Sequence, residues 1–131
     1  PMDFDAYSRA GVSLGSGALL ICDEDTCVVD LGRVLINFFR NESCGKCSPC
    51  RIGTQRSYEI MESIANGNAK LEDLQTLINL ADSMNEVSNC GLGQTAGTPI
   101  RDILKYFRAE VEAHIRLHVC PTGVCEIKIP V

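Results

Sequence analysis

The sequence predicts a mainly α domain: a four-helix bundle holding a metal-binding loop, with one short strand segment ahead of it. Three observations predict this fold. Apolar residues recur with helical spacing in four windows between residues 26 and 118. Helix punctuation separates the windows, with Asn66-Gly67-Asn68 as a stop and Thr98-Pro99 as a start. Only ALLIC, residues 18–22, carries a strand-like apolar run, and a lone strand has nothing to pair with.

Taken in order, residues 1–17 read as loop, rich in Gly, Ser and Asp. GVSLGSG within them lacks the lysine and the strand–loop–helix setting of a phosphate-cradling loop. ALLIC follows, and Asp23-Glu24-Asp25 turns the chain. The first helix begins near Thr26, with Leu31, Val34, Leu35, Phe38 and Phe39 as its stripe. The second runs from about Arg51 to Ala65, with Ile60 and Ile64 one turn apart. A third covers about 70–84 on Leu71, Leu74, Leu77, Ile78 and Ala81. The fourth takes Thr98 as N-cap and Pro99 in its first turn, and carries Ile100, Ile103, Leu104, Phe107, Val111 and Ile115. Short connections join these amphipathic helices into a bundle.

Composition excludes several functions. At 131 residues and 45% hydrophobic content, the chain can bury one modest core. A net charge of −5 and the absence of Trp argue against a nucleic-acid partner. No apolar run is long enough to cross a bilayer. PMDFDAYSRAG has neither the charged nor the apolar region of a signal peptide, so the expectation is a cytoplasmic protein. Eight cysteines in that setting point to metal or redox chemistry rather than a disulfide framework.

The cysteines fall into three groups. Cys44, Cys47 and Cys50 form C-x2-C-x2-C, and Cys90 in SNCGLGQ supplies a distant fourth thiolate. Three ligands from one compact loop and one from afar is the arithmetic of a ferredoxin-type 4Fe–4S cluster. Zinc sites more often pair two separated C-x2-C knuckles, so a non-redox zinc domain is the alternative reading. A cluster with four thiolates carries a formal charge of about −2, falling to −3 on reduction. Cys50 at the start of a helix, with Lys46 and Arg51 nearby, suits that charge, while Gly45, Gly91 and Gly93 permit close approach of the backbone. A thiolate nucleophile at Cys47 or Cys50 lacks a nearby base, since His114 and His118 are the only histidines. In the tail, His114 and His118 lie one helical turn apart before the C-x4-C of Cys120 and Cys125. That set offers a second, zinc-type site, with His114, Cys120 and Cys125 its best ligands. Cys22 and Cys27 read as free thiols.

ESCGKCSPCRIGT followed by CGLGQTAGTPIRDILKYFRAEVEAHI resembles the C-terminal region of NADH-oxidising flavoprotein subunits. That family includes the flavin subunit of respiratory complex I and the beta subunits of NAD(P)-linked iron-only hydrogenases and formate dehydrogenases. LGSGALLICDEDTCVVD is similar to the family's passage from a ubiquitin-like domain into its cluster domain. The resemblance implies three segments: the end of a β-grasp (ubiquitin-like) domain and a linker over 1–25, a helical 4Fe–4S domain over 26–118, and a cysteine-containing tail over 119–131. It implies that Cys44, Cys47, Cys50 and Cys90 hold a cluster that takes single electrons from FMN, itself reduced by NAD(P)H. FMN and nucleotide would sit in a preceding domain of the same subunit. Further partners would be other iron–sulfur subunits of a dehydrogenase or hydrogenase complex.

Overall fold

The computed structural model describes residues 3–127; residues 1–2 and 128–131, the outer ends of the expected first and third segments, lie outside them. Seven α-helices follow in order: α1 Phe4–Arg9, α2 Val28–Glu42, α3 Ser48–Ala65, α4 Glu72–Val87, α5 Gly91–Ala96, α6 Thr98–Tyr106 and α7 Arg108–Arg116. α2 packs along α3, and α3 along α4; α6 crosses both α2 and α4, while α5 wedges against α4 and α3. The core between them joins Val29, Ile36, Met61, Ile64, Leu77, Ile100 and Val111. Burying each such side chain is worth about 1.5–3 kcal/mol, enough for tertiary contact to override weak local propensity.

The mainly α architecture is the expected one, and the four long helical windows all form. The front of the chain differs from expectation. Residues 4–9 are helical rather than loop, with Asp3 accepting from the Ala6 N–H as N-cap, yet α1 buries nothing. Ala18 to Cys22 forms no strand, since no partner strand exists among the described residues. Leu19, Leu20 and Ile21 are accordingly exposed.

The buried face of α2 is displaced from the expected stripe. Val29, Gly32 and Ile36 face the core, whereas Val34 and Phe38 are exposed. Gly32 explains the shift: a Cβ there would stand 2.7 Å from Ile103 and 2.8 Å from Met61. The helix approaches its neighbours at the one residue with no side chain, which gives no apolar signal. The second helix starts three residues earlier than expected, at Ser48, so Cys50 lies inside its first turn. The fourth is broken at Phe107 (φ −125°, ψ 26°), which caps α6 and opens α7. Neither Pro nor Gly stands at the break. Its N-cap is Gly97 rather than Thr98. Residues 91–96, which lie in none of the four expected helices, are helical as α5.

Candidate metal centres

Cys44, Cys47, Cys50 and Cys90 line one cavity together with Glu42, Ser43, Lys46 and Leu92. Its volume of about 80 Å3 is several times the roughly 10–15 Å3 that holds one water, so the space suits a polyatomic group. Two helix N-termini converge here. Cys47 is the N-cap of α3 and Cys90 the N-cap of α5, and neither helix start is closed by a side-chain hydrogen bond or carries an acidic residue. Their first-turn N–H groups therefore remain available to negative charge. The Cys47 thiol is drawn below its ordinary pKa, first by the backbone N–H of Asn89 and then by that of Cys50. Asn89 precedes Cys90, so the remote segment already touches the compact loop.

Local chemistry shapes that loop. Gly45 takes φ +74°, a left-handed conformation that favours glycine, and its N–H donates to Ser43 Oγ. Arg51 Nη1 donates to the Gly45 carbonyl at 2.8 Å, bracing the bend. Cys50 is buried at 5% exposure with Ser43 Oγ 3.3 Å from its sulfur, while Cys44 and Cys90 are exposed. Behind Cys50, a Cβ at Gly93 would fall 2.6 Å from Ser88 and 2.9 Å from the Cys50 Cβ. Only glycine lets α5 close on α3. Ser88 Oγ beside it is buried with no hydrogen-bond partner, and Gln94 Nε2 and Asn85 Nδ2 donate to the carbonyls of Ser88 and Gln94. An anionic iron–sulfur group fits this donor set of four thiols, with the first-turn N–H groups of two helices and Lys46 beside them outweighing the one carboxylate, Glu42.

A second convergence lies across the bundle. Cys27, His114, Cys120 and Cys125 place one ligand atom each within 4.8 Å of all the others, the one such set among the described residues. Cys27 Sγ stands 3.5 Å from His114 Nε2 and 3.6 Å from Cys125 Sγ. Against burial, which lowers its pKa, the contact with Cys27 and the Glu110 carbonyl raise His114 to about 9. Against burial in the other direction, hydrogen bonds from the Thr122 hydroxyl and the Cys125 N–H draw the Cys120 thiol down to about 6. Burial pushes the Cys125 thiol up.

This quartet revises the tail expectation. His118 does not join it: its Nδ1 lies 2.9 Å from the Gly67 carbonyl, and its φ of +50° turns the chain out of α7. Cys27, read from the sequence as a free thiol, takes the fourth corner, while Cys22 is exposed and apart. Eighty-seven residues separate Cys27 from His114, and no spacing motif connects them. The one signal in the sequence was a cysteine at a helix start, which is weak alone.

No helix among the described residues is long and apolar enough to cross a membrane. The family described as the NADH-ubiquinone oxidoreductase-F iron–sulfur binding region matches residues 30–114, which include all four cysteines of the first cavity. Over 124 residues the chain is 38% identical to the NADP-reducing hydrogenase subunit HndC of Solidesulfovibrio fructosivorans, covering 95% of this chain and 25% of the relative. It is 43% identical over 121 residues to the NADH-quinone oxidoreductase-F protein of Streptomyces coelicolor, covering 92% of this chain and 27% of that one. The crystal structure of an NAD+-reducing NiFe hydrogenase in the H2-reduced state superposes with a TM-score of 0.70 at 39% identity, over 77% of this chain and 18% of that chain. The chain thus spans about a quarter of the length of the curated relatives it matches.

Proposed function

The chain belongs to the NADH-ubiquinone oxidoreductase-F iron–sulfur binding family, and on that premise we propose that it is the electron relay of an NAD(P)H-linked dehydrogenase or hydrogenase. Cys44, Cys47, Cys50 and Cys90 ligate its 4Fe–4S cluster, which supplies one-electron storage. The observation that carries this reading is the single cavity shared by all four thiols at the meeting of two uncapped helix N-termini. Lys46 and the first-turn N–H groups of α3 and α5 stabilise the added negative charge of the reduced state. The exposure of Cys44 and Cys90 leaves one edge of the site open to a neighbour, whereas buried Cys50 anchors the opposite corner. Single electrons arrive from reduced FMN in a flavin- and nucleotide-binding domain of the same subunit, and leave toward other iron–sulfur subunits of a cytoplasmic complex. Residues 1–25 end a ubiquitin-like domain and its linker, residues 26–118 form the cluster domain, and 119–131 are its tail.

Hydride transfer delivers two electrons while one cluster holds one, so a flavin must divide the pair. The chain carrying its cluster is therefore expected to be bleached by dithionite and not by NADH under anaerobic conditions. Adding the flavin-bearing domain in the same chain is expected to make the cluster NADH-reducible. Bleaching by NADH with no flavin present overturns the relay assignment. Colourless protein after anaerobic iron and sulfide reconstitution overturns the cluster itself.

A further inference from the structure

Resting on the cluster reading above, we propose that the Ser43 hydroxyl sets the reduction potential of that cluster, holding it up by donating a hydrogen bond to the Cys50 sulfur. Ser43 Oγ lies 3.3 Å from Cys50 Sγ. Among the described residues this is the one side-chain hydrogen bond to any of the four thiols Cys44, Cys47, Cys50 and Cys90. Its direction follows from the neighbours. The Gly45 N–H donates to Ser43 Oγ at 3.3 Å, which uses the oxygen as acceptor and leaves its own proton for the sulfur. A sulfur bound to iron is a thiolate without a proton, so it can only accept.

Both partners are held in place before any electron arrives. Ser43 ends α2 in extended backbone, at φ −63° and ψ 125°. Gly45 brings its N–H back to Ser43 through its φ of +74°, and Arg51 Nη1 pins the Gly45 carbonyl at 2.8 Å. Cys50 sits in the first turn of α3, where Thr54 Oγ1 donates to its carbonyl at 2.8 Å. The O–H dipole is therefore preorganised toward the place where charge develops.

Cys50 is also the corner at which such a bond counts most. It is 5% exposed, whereas Cys44 and Cys90 are exposed and Cys47 is half-buried. Water can donate to the outer sulfurs whatever side chains surround them. Away from water, an O–H dipole acts on added charge with less screening. Reduction adds one electron and takes the formal charge from about −2 to about −3. No bond forms or breaks at Ser43, and its proton stays on oxygen. The hydrogen bond is stronger in the more negative state, so it stabilises the reduced form and raises the potential.

A redox titration of the cluster-loaded chain, followed through the low-temperature resonance of the reduced protein, tests this. Ser43→Ala is expected to lower the equilibrium constant for one-electron reduction roughly tenfold, a fall of about 59 mV. Ser43→Thr keeps a hydroxyl in backbone that suits a β-branched residue, and is expected to restore the potential. Ser48→Ala, at an exposed position of the same loop, is expected to leave it unchanged. The Ser43→Ala shift should persist at high salt, because no charge is removed. Iron content should be equal in all four proteins. An unaltered potential in Ser43→Ala, a Ser43→Thr variant that behaves like it, an equal shift in Ser48→Ala, or a shift abolished by salt overturns the proposal. Loss of iron from Ser43→Ala overturns it as well, since the contact would then govern assembly rather than potential. An unaltered chain that stays colourless after reconstitution removes the cluster reading itself, whereas a coloured Ser43→Ala chain with the original potential removes this proposal alone.

Discussion

Cys47 and Cys90 stand at helix starts on a partly open rim, whereas Cys27 and His114 are sealed inside the bundle, although each pair belongs to a four-ligand convergence. The first site gathers backbone N–H groups and a lysine around its sulfurs and leaves two thiols at the surface. The second offers its ligands a carbonyl, a hydroxyl and a single backbone N–H, with Cys27 and His114 buried and Cys120 and Cys125 half-buried. The first arrangement suits a centre whose charge changes. The second suits a centre whose charge never changes. Environment thus separates a redox role from a structural one more sharply than ligand identity does.

Experiments that disable one site at a time sharpen the contrast. The largest expected effect is from Cys90→Ala, which should abolish the 4Fe–4S resonance of the dithionite-reduced protein at low temperature, while Cys22→Ala leaves it unchanged. A wild-type spectrum from the Cys90 variant would dissolve the distinction between the two sites. Next comes selective metal removal. Stripping the zinc expected at Cys27, His114, Cys120 and Cys125 should lower the melting temperature and raise hydrogen exchange across 118–127, since binding energy at such a site counts as folding energy. Loss of the cluster should instead expose 41–50 and 85–97. Identical exchange maps for the two apo forms would mean that the sites do not act on separate parts of the fold.

Gly93→Ala is expected to have a smaller effect. Its Cβ would press on Ser88 and Cys50, at an overpacking cost of about 1–3 kcal/mol. Iron occupancy should fall and zinc content should hold; loss of zinc instead would place α5 against the wrong site. His118→Ala should have the smallest effect, about 1 kcal/mol in chemical denaturation, through loss of the contact with the Gly67 carbonyl. Loss of zinc in that variant would restore the histidine pair suggested by its spacing.

What is encoded within a turn or two of chain was legible before any packing was known. C-x2-C-x2-C specifies a curled three-thiol loop, and apolar spacing specifies where the three long helices α2, α3 and α4 and the window of α6 and α7 lie. The stop at Asn66-Gly67 is equally local, with Gly67 at φ +72°. Tertiary packing settled the rest. It chose the face of α2 through Gly32, whose missing side chain is invisible to a hydrophobic pattern but sets the closest approach to Met61 and Ile103. It broke the last helix at Phe107 without Pro or Gly, allowing His114 and Ile115 to turn inward. It also left Ala18 to Cys22 without a strand, because a ladder requires a partner that those five residues cannot supply. Above all it brought Cys27 to His114 and Cys125, where His118 stood nearer in sequence. Spacing constrains neighbours through bond geometry over a few residues; contact across 87 or 98 positions depends on how every helix between them packs.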